Sequence, residues 1–450
     1  MARFFFIVTD RTFIFEKFGI YSKLSYLCRV TKKDNGMRNR ISLFLIMFFC
    51  AFSMNAQNEV DVDTLLRISG KVIDAYSGER LREAEIHVNN NNVSTMTNED
   101  GFFMLKAPKN TSGFSVSALG YHTHYVSVAS LSSTEDMKIL LKPDAKILED
   151  VQVYSAENIV EAALLKIPSN YPSVSMIYST FYRETVKKRN RYVSVIEAVQ
   201  DVYKKSYQSD NPEEDKVYVL KGRRLLSEHR KDTIAVHVEG GPNEVLFLDL
   251  VKNRDFFLNV ENLEEYGFWL ENSRSIGDRM HYVVGFRPLP YMQHEIEYTG
   301  LMYIDAQTLA FSRIELSLDC SDKQKASDFM LRHKPFGLRF RPESLKTVIN
   351  YYYDGNTSHI NYIRNTFQFG CDWKKRGLYT HYVVTSENLV TKREITTSKP
   401  ARKPSFGRYD VLDKKVGNFE DVEFWKDYNI LEPSESLENA VRKLVKRAGE

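Results

Sequence analysis

His294-Glu295-Ile296-Glu297 sets a histidine and a carboxylate at H-x-x-E spacing, which on a helix could hold a divalent cation for hydrolysis. It falls one residue short of H-E-x-x-H, because Tyr298 stands where the second histidine would be. The surrounding run HEIEYTGLMYID reads as a strand, where residues three apart face opposite sides, so the two side chains cannot share one ion. His122 and His124 would share a strand face, but no third ligand accompanies them. Asp74 and Asp100 lack the D-x-D-x-D-G loop of a calcium site. The chain contains no G-x-S-x-G, C-x-x-C, P-loop or G-x-G-x-x-G. The expectation is therefore no catalytic residue, no metal, no cofactor and no enzyme.

The elements that would position such groups are mainly strands. Aromatics are abundant, 28 Phe and 26 Tyr, and such residues favour pleated surfaces. The formal charge of +3 is concentrated at the start: the first 57 residues hold 9 Lys/Arg and 3 Asp/Glu, leaving 53 against 56 beyond. A nearly neutral remainder argues against a nucleic-acid partner. Met37-Arg38-Asn39-Arg40, the twelve-residue apolar run Ile41–Phe52 and the small residue Ala56 have the form of a secretory leader over 37–57. The run is shorter than the roughly 20 apolar residues that span a bilayer. Residues 1–36 fit no part of such a leader and are expected to lie upstream of the true start at Met37. Bulky Phe48 and Phe49 before Cys50 argue against lipidation there. Beyond the leader only Cys320 and Cys371 remain, and export would permit but not require their pairing.

From 66 to 142 the chain alternates short strands with turn signals, the pattern of a β-sandwich. Gly70-x-Val72-x-Asp74, Gly78-x-x-Leu81, Ala84-x-Ile86-x-Val88, Thr97-x-x-x-Gly101-x-Phe103-x-Leu105 and Ala118-x-Gly120-Tyr121 follow in order. Together they resemble the carboxypeptidase regulatory-like, or transthyretin-like, domain over about 75 residues. The alternation itself places Phe103 and Leu105 on one face and Phe102 and Met104 on the other; the motif implies that the first pair is core. Gly78 and Gly120 are turn positions, and Asp74 is placed to bond the backbone of the turn it opens. In zinc carboxypeptidases this module follows the catalytic domain, whereas here it comes first.

The same module precedes the plug of TonB-dependent outer-membrane receptors, followed by an L-[ED]-[ED]-V-x-V segment that Leu148-Glu149-Asp150-Val151-Gln152-Val153 resembles. Only 297 residues remain after Val153, too few for a plug and a 22-stranded barrel, so the likeness is confined to the front end. A linker and helix are expected over 143–170: Ile159, Val160, Ala163, Leu164 and Ile167 share a helical face, Ser155 is a suitable N-cap, and Pro172 ends the run. Long alternating strands then fill 171–433; Ile314, Leu316 and Leu318 alternate with Glu315, Ser317 and Asp319, as in a sheet wetted on one face. The basic tip KKRNR joins the first two strands as a solvated turn. A final amphipathic helix over 434–450, capped by Ser434, is expected to fold back onto the sheet.

This region, with FYRE at 181–184, GLMYIDAQTLAF at 300–311 and FWKDYNILEP at 424–433, resembles an uncharacterised C-terminal β domain found with the module. Its architecture also resembles the half-barrel of lipoprotein carriers, which bind acyl chains. The expected fold is mainly β: an N-terminal sandwich, then a large antiparallel domain forming an open or half barrel with a few helices. The expected function is an exported, non-enzymatic cell-envelope protein, periplasmic or outer-membrane associated, binding a lipid or lipoprotein, with an outer-membrane protein as a further partner. The alternative is a glycan-binding surface accessory, since transthyretin-like sandwiches belong to a carbohydrate-binding-like fold group; a third reading is a hydrolase. Tyr351 with Tyr353, and Phe367 with Phe369, share strand faces and are the candidate pocket aromatics.

Overall fold

The computed structural model describes residues 5–10 and 65–448, apart from 89–91, 145–154, 209–213, 228–231, 233, 255–258, 291–297, 374–378, 401–403 and 419–423. The leader at 37–57, the Leu148–Val153 segment and His294 through Glu297 therefore lie outside the described residues. Strand β1 covers Phe5–Asp10, inside the stretch expected to precede the start.

The sandwich comprises β2 (Leu65–Asp74), β3 (Glu85–Val88), β4 (Ser94–Met96), β5 (Phe102–Pro108), β6 (Gly113–Ser117), β7 (His124–Ser127) and β8 (Met137–Leu141). They form two sheets, ordered β5-β2-β8 and β4-β3-β6-β7. Alternation decides what lies between them. Ile68, Val72, Phe103 and Leu105 from the first sheet meet Ile86, Phe114 and Val116 from the second, all fully buried. The hairpin entering β5 is closed by Asn98, whose Oδ1 accepts from the backbone N–H groups of Asp100 and Phe102, and by Gly101 at φ +70°. A side chain at Gly101 would be strained in that left-handed geometry and would press on Val72 O at 3.0 Å. Asp74 holds its turn as expected: Oδ1 accepts from the N–H groups of Tyr76 and Ser77, and Oδ2 from the Tyr121 hydroxyl at 2.7 Å.

The second domain opens with helices α1 (Ala156–Leu165) and α2 (Ile167–Asn170). Ser155 caps α1, its Oγ accepting from Asn158 N at 3.2 Å. The helix ends before Ile167 because Pro168 has no N–H to continue the ladder, an earlier stop than Pro172 would impose. Strands β9 (Met176–Lys188), β10 (Arg191–Lys204), β11 (Lys216–Leu226), β12 (Ile234–Glu239), β13 (Tyr266–Ile276), β14 (Arg279–Pro288), β15 (Tyr298–Asp305), β16 (Phe311–Leu318), β17 (Leu331–His333), β18 (Leu338–Tyr353), β19 (Ser358–Trp373), β20 (Thr380–Ile395) and β21 (Gly417–Asn418) follow, with helices α3 (Glu244–Phe247), α4 (Lys323–Met330) and α5 (Glu435–Ala448).

Eleven strands make one sheet, ordered β13-β14-β15-β16-β18-β19-β20-β9-β10-β11-β21, whose end strands do not pair, so it stays open. One face carries the main core, where Ile159, Val160, Ala163 and Leu164 of α1 pack with Tyr178, Tyr182, Phe286, Ile304 and Phe311. On the opposite face Phe181, Val199, Tyr362 and Leu389 are covered by Met96 of the sandwich and by Trp425, Ile430 and Leu431 of the tail. The sandwich thus sits on the sheet's second face. A polar seam joins them: Glu83 receives Arg313 at 3.3 Å and Arg364 at 3.4 Å, and His87 stacks on Tyr352 at 3.5 Å.

Candidate functional site

A cleft of about 980 Å³ lies between the sandwich and α5. Strand register builds its first wall. Lys71 pairs with Phe102, Ser69 with Met104 and Arg67 with Lys106, so these side chains share the outer face of β2 and β5, opposite the buried Phe103 and Leu105. The second wall is α5. Leu437 and Leu444 bury against Tyr192, Val195 and Leu225 of β10 and β11, with Val441 partly buried against the same cluster, and Leu437, Val441 and Val445 line the cleft. Val445 stays 43% exposed. Ser434 caps the helix through Leu437 N at 3.3 Å, and Asp100 of the sandwich accepts from Glu435 N at 2.7 Å, placing a carboxylate at the positive end of the helix dipole.

The floor is the tail segment 424–433, and it is fastened by buried charge. Glu197 of β10 accepts from Arg183 at 2.7 Å, Arg223 at 3.0 Å and the Trp425 indole N–H at 3.1 Å. Burial pushes the Glu197 carboxyl up, but the two guanidinium groups outweigh it and hold it below the ordinary carboxylate value. Arg183 also donates to Leu431 O at 2.7 Å, and Phe181 meets the Trp425 ring edge-on at 5.7 Å. FYRE and FWKDYNILEP, far apart in sequence, are therefore one packing unit. Lys106 Nζ donates to the carbonyls of Trp425 at 2.7 Å and Tyr428 at 2.6 Å, and burial drives its pKa down. Arg67, Lys71 and Arg80 face the cleft and make no ion pair with a described residue.

A second, narrower cleft of about 50 Å³ runs beside it along the polar seam, lined by Arg82, Arg183, Arg364 and Glu387 among others. The four candidate aromatics line neither cleft. Phe367 and Phe369 stack at 4.8 Å in the main core, and Phe369 stacks on Tyr382 at 5.4 Å. Tyr351 is buried and donates to Asp249 Oδ1 at 2.9 Å, in a knot completed by Lys204 at 2.6 Å and the Tyr207 hydroxyl at 2.5 Å. Tyr353 lies apart at the strand end, half-buried beneath the Arg279 guanidinium at 4.1 Å. His122 bonds Asp278 at 3.2 Å with Asp144 at 3.6 Å, while His124 is exposed. Among the described residues no group of three or more His, Cys, Asp or Glu could hold a metal ion. Cys320 and Cys371 are buried and unpaired.

Residues 68–153 match the model of the CarboxypepD_reg-like domain family, so the sandwich and the segment after it are a carboxypeptidase regulatory-like domain. Solved structures resemble the chain only distantly. An outer membrane lipoprotein-sorting protein domain from Vibrio parahaemolyticus aligns over 55% of this chain and 94% of its own, at 9% identity and a TM-score of 0.24. A LolA superfamily protein from Nitrosomonas europaea aligns over 55% of this chain and 96% of its own, at 11% identity and a TM-score of 0.20. Scores this low carry no argument about ligand or chemistry. No curated protein matches the chain. Among the described residues no helix is long and apolar enough to cross a membrane.

The outward parity of Phe102 and Met104 was readable in the sequence; their facing partner was not. α5 is hundreds of residues away, and no local pattern ties it to β5.

Proposed function

We propose that this is an exported, non-enzymatic cell-envelope protein whose cleft between the sandwich and α5 binds an amphipathic ligand, a lipid or the acylated end of a lipoprotein. The observation carrying this reading is an apolar strip beside cations that form no ion pair with a described residue, in a cleft also lined by Asp100, Asp136, Glu432, Glu435 and Glu438. Phe102 and Met104, facing Val441 and Val445, offer a bed for an acyl chain, and Arg67, Lys71 and Arg80 beside them suit an anionic headgroup. The volume is within the range of small-molecule sites, about 300–1,000 Å³. A binding role is further supported by what the buried charges do: Arg183, Arg223, Glu197 and Lys106 are engaged in fastening the tail. A sugar platform would want an open ring, and Trp425 is only 5% exposed with its edge packed by Phe181.

Native mass spectrometry of protein purified from its own envelope tests the reading. A retained mass matching a lipid or acylated peptide, lost in Met104→Asp, is the expected result. A chain recovered only from the cytoplasm would remove the proposal.

A further inference from the structure

Lys204 and Asp249 meet inside the main core with both side chains fully buried, Lys204 Nζ lying 2.6 Å from Asp249 Oδ2. Lys204 closes β10 and Asp249 follows α3, so the contact joins the large sheet to the segment packed on it. Three tyrosines box the pair in. Tyr171 stacks on Tyr207 at 5.3 Å and meets Tyr351 edge-on at 5.7 Å, and all three are at most 4% exposed. Tyr207 donates to Oδ2 at 2.5 Å and Tyr351 to Oδ1 at 2.9 Å, so each carboxyl oxygen has its own hydroxyl. Val251 N donates to the Tyr351 oxygen at 3.4 Å, which leaves that hydroxyl's proton for Asp249. Burial, and then the Asp249 charge, push both hydroxyls well above the ordinary tyrosine pKa, so they remain donors. Lys204 Nζ also donates to Val245 O at 3.2 Å. A neighbouring pair, Lys252 with Asp215 at 2.8 Å, is just as deeply buried. There Asp215 Oδ1 accepts from Lys205 N, and among the described residues no tyrosine hydroxyl bonds it.

We propose that Lys204 and Asp249 condense to an amide, a cross-link between side chains formed with loss of one water. Holding two charges away from solvent is costly, and the neutral amide removes both. The geometry supplies each part of the step. The carboxyl carbon lies one bond beyond Oδ2, a separation near the ~3–3.5 Å of reacting atoms placed for attack. One proton crosses from Nζ to Oδ2, and the neutral amine attacks Cγ while Val245 O holds one of its N–H groups. Negative charge develops on Oδ1, where the Tyr351 hydroxyl is already aimed. A second proton passes from the nitrogen to Oδ2, which leaves as water from its bond with Tyr207. The three hydrogens on nitrogen become one, two depart with Oδ2, and no oxidant or reductant is needed. Lys252 and Asp215, with no hydroxyl aimed at the carboxyl, stay an ion pair. The link depends neither on the cleft nor on where the mature chain begins.

Mass spectrometry of the denatured protein, followed by tryptic mapping, tests the link. The chain is expected to be one water lighter than its sequence. Trypsin should release residues 192–205 joined to residues 232–252, uncut after Lys204, because an acylated lysine is not a cleavage site. Recovery of the two segments only as separate linear peptides overturns the proposal. So does a water loss that maps to Lys252 and Asp215, or that lies within a single linear peptide. Neither outcome requires a variant that folds. Tyr351→Phe keeps the ring in its box and removes the donor to Oδ1. Followed from synthesis in a cell-free system, it should cross-link at least about tenfold more slowly than the wild type. An equal rate in the two chains would overturn the assigned step.

Discussion

Arg183 and Glu197, paired at 2.7 Å on neighbouring strands and each at most 4% exposed, anchor the tail of the protein to the back of its largest sheet. The desolvation cost of both charges is met because Glu197 has three donors and Arg183 also reaches a carbonyl. Removing one partner leaves the other buried. Arg183→Ala is expected to lower unfolding stability by about 3–5 kcal/mol in chemical denaturation. Lys392→Ala removes a 47% exposed lysine from its pair with the 53% exposed Glu394 and should cost under about 1 kcal/mol. Equal losses in the two variants would show that burial does not set the value of these pairs.

Glu184 and Glu244 make stability depend on pH in the opposite sense to an ordinary surface carboxylate. Burial, with Asp413 and Glu244 nearby, pushes the Glu184 carboxyl up to about 8, and burial pushes Glu244 up to about 8. Both start from 4.5 in the unfolded chain, so the folded state holds the protons longer. Their contribution is fully present below pH 4.5 and is lost as pH rises through about 8, at up to about 1.4 kcal/mol per pH unit per group. Buried His87, His281 and His359, whose pKa values burial lowers, act in the opposite sense over the same window, so the readout is the difference between chains: from pH 5 to pH 8 Glu184→Gln should lose less melting temperature than the wild type. Parallel profiles for the two chains would mean that the pair is hydrated.

Much of this arrangement was legible in the sequence, and the losses have physical causes. The seven sandwich strands follow from alternation and turn glycines, and the buried parity of Phe103 and Leu105 came with the motif. β16 reads dry on one side because Ile314, Leu316 and Leu318 are buried there. β13 departs from the alternation expected over 171–433: as the end strand of the large sheet it exposes Trp269 and Leu270. The cleft was missed for another reason. Pocket aromatics were sought on β18 and β19, where Phe367 and Phe369 stack in the core. The cleft instead uses side chains from β5 and α5, whose proximity is purely tertiary.

Cys320 and Cys371 are buried, and burial raises both thiol pKa values, that of Cys371 to about 12. Since the thiolate is the reactive form, both should resist a disulfide reagent at pH 8 in the native protein and react fully in denaturant. Peptide mapping after alkylation under denaturing conditions is expected to find both as free thiols. A Cys320–Cys371 disulfide peptide would contradict this.

At Lys106 the edge of β5 is closed by a single side chain. Asn429 Oδ1 accepts from Lys106 N at 2.8 Å and its Nδ2 donates to Lys106 O at 2.8 Å, so one amide does for Lys106 what a neighbouring strand would do. At the other end of the strand Asn98 accepts from Phe102 N, and the two asparagines together blunt an edge that would otherwise invite pairing. Lys106 Nζ meanwhile holds two carbonyls of the same tail segment, so the floor of the cleft is fixed at this one residue from both main chain and side chain. Asn429→Ala should cost about 1–3 kcal/mol, the range for leaving buried polar groups unpaired. Asn429→Asp keeps the acceptor for Lys106 N but loses the donor to Lys106 O and should fall between. Hydrogen exchange gives a local readout: the Lys106 amide should lose protection in Asn429→Ala and retain it in Asn429→Asp. If that amide exchanges at the same slow rate in the alanine variant, the strand edge is protected by something other than Asn429.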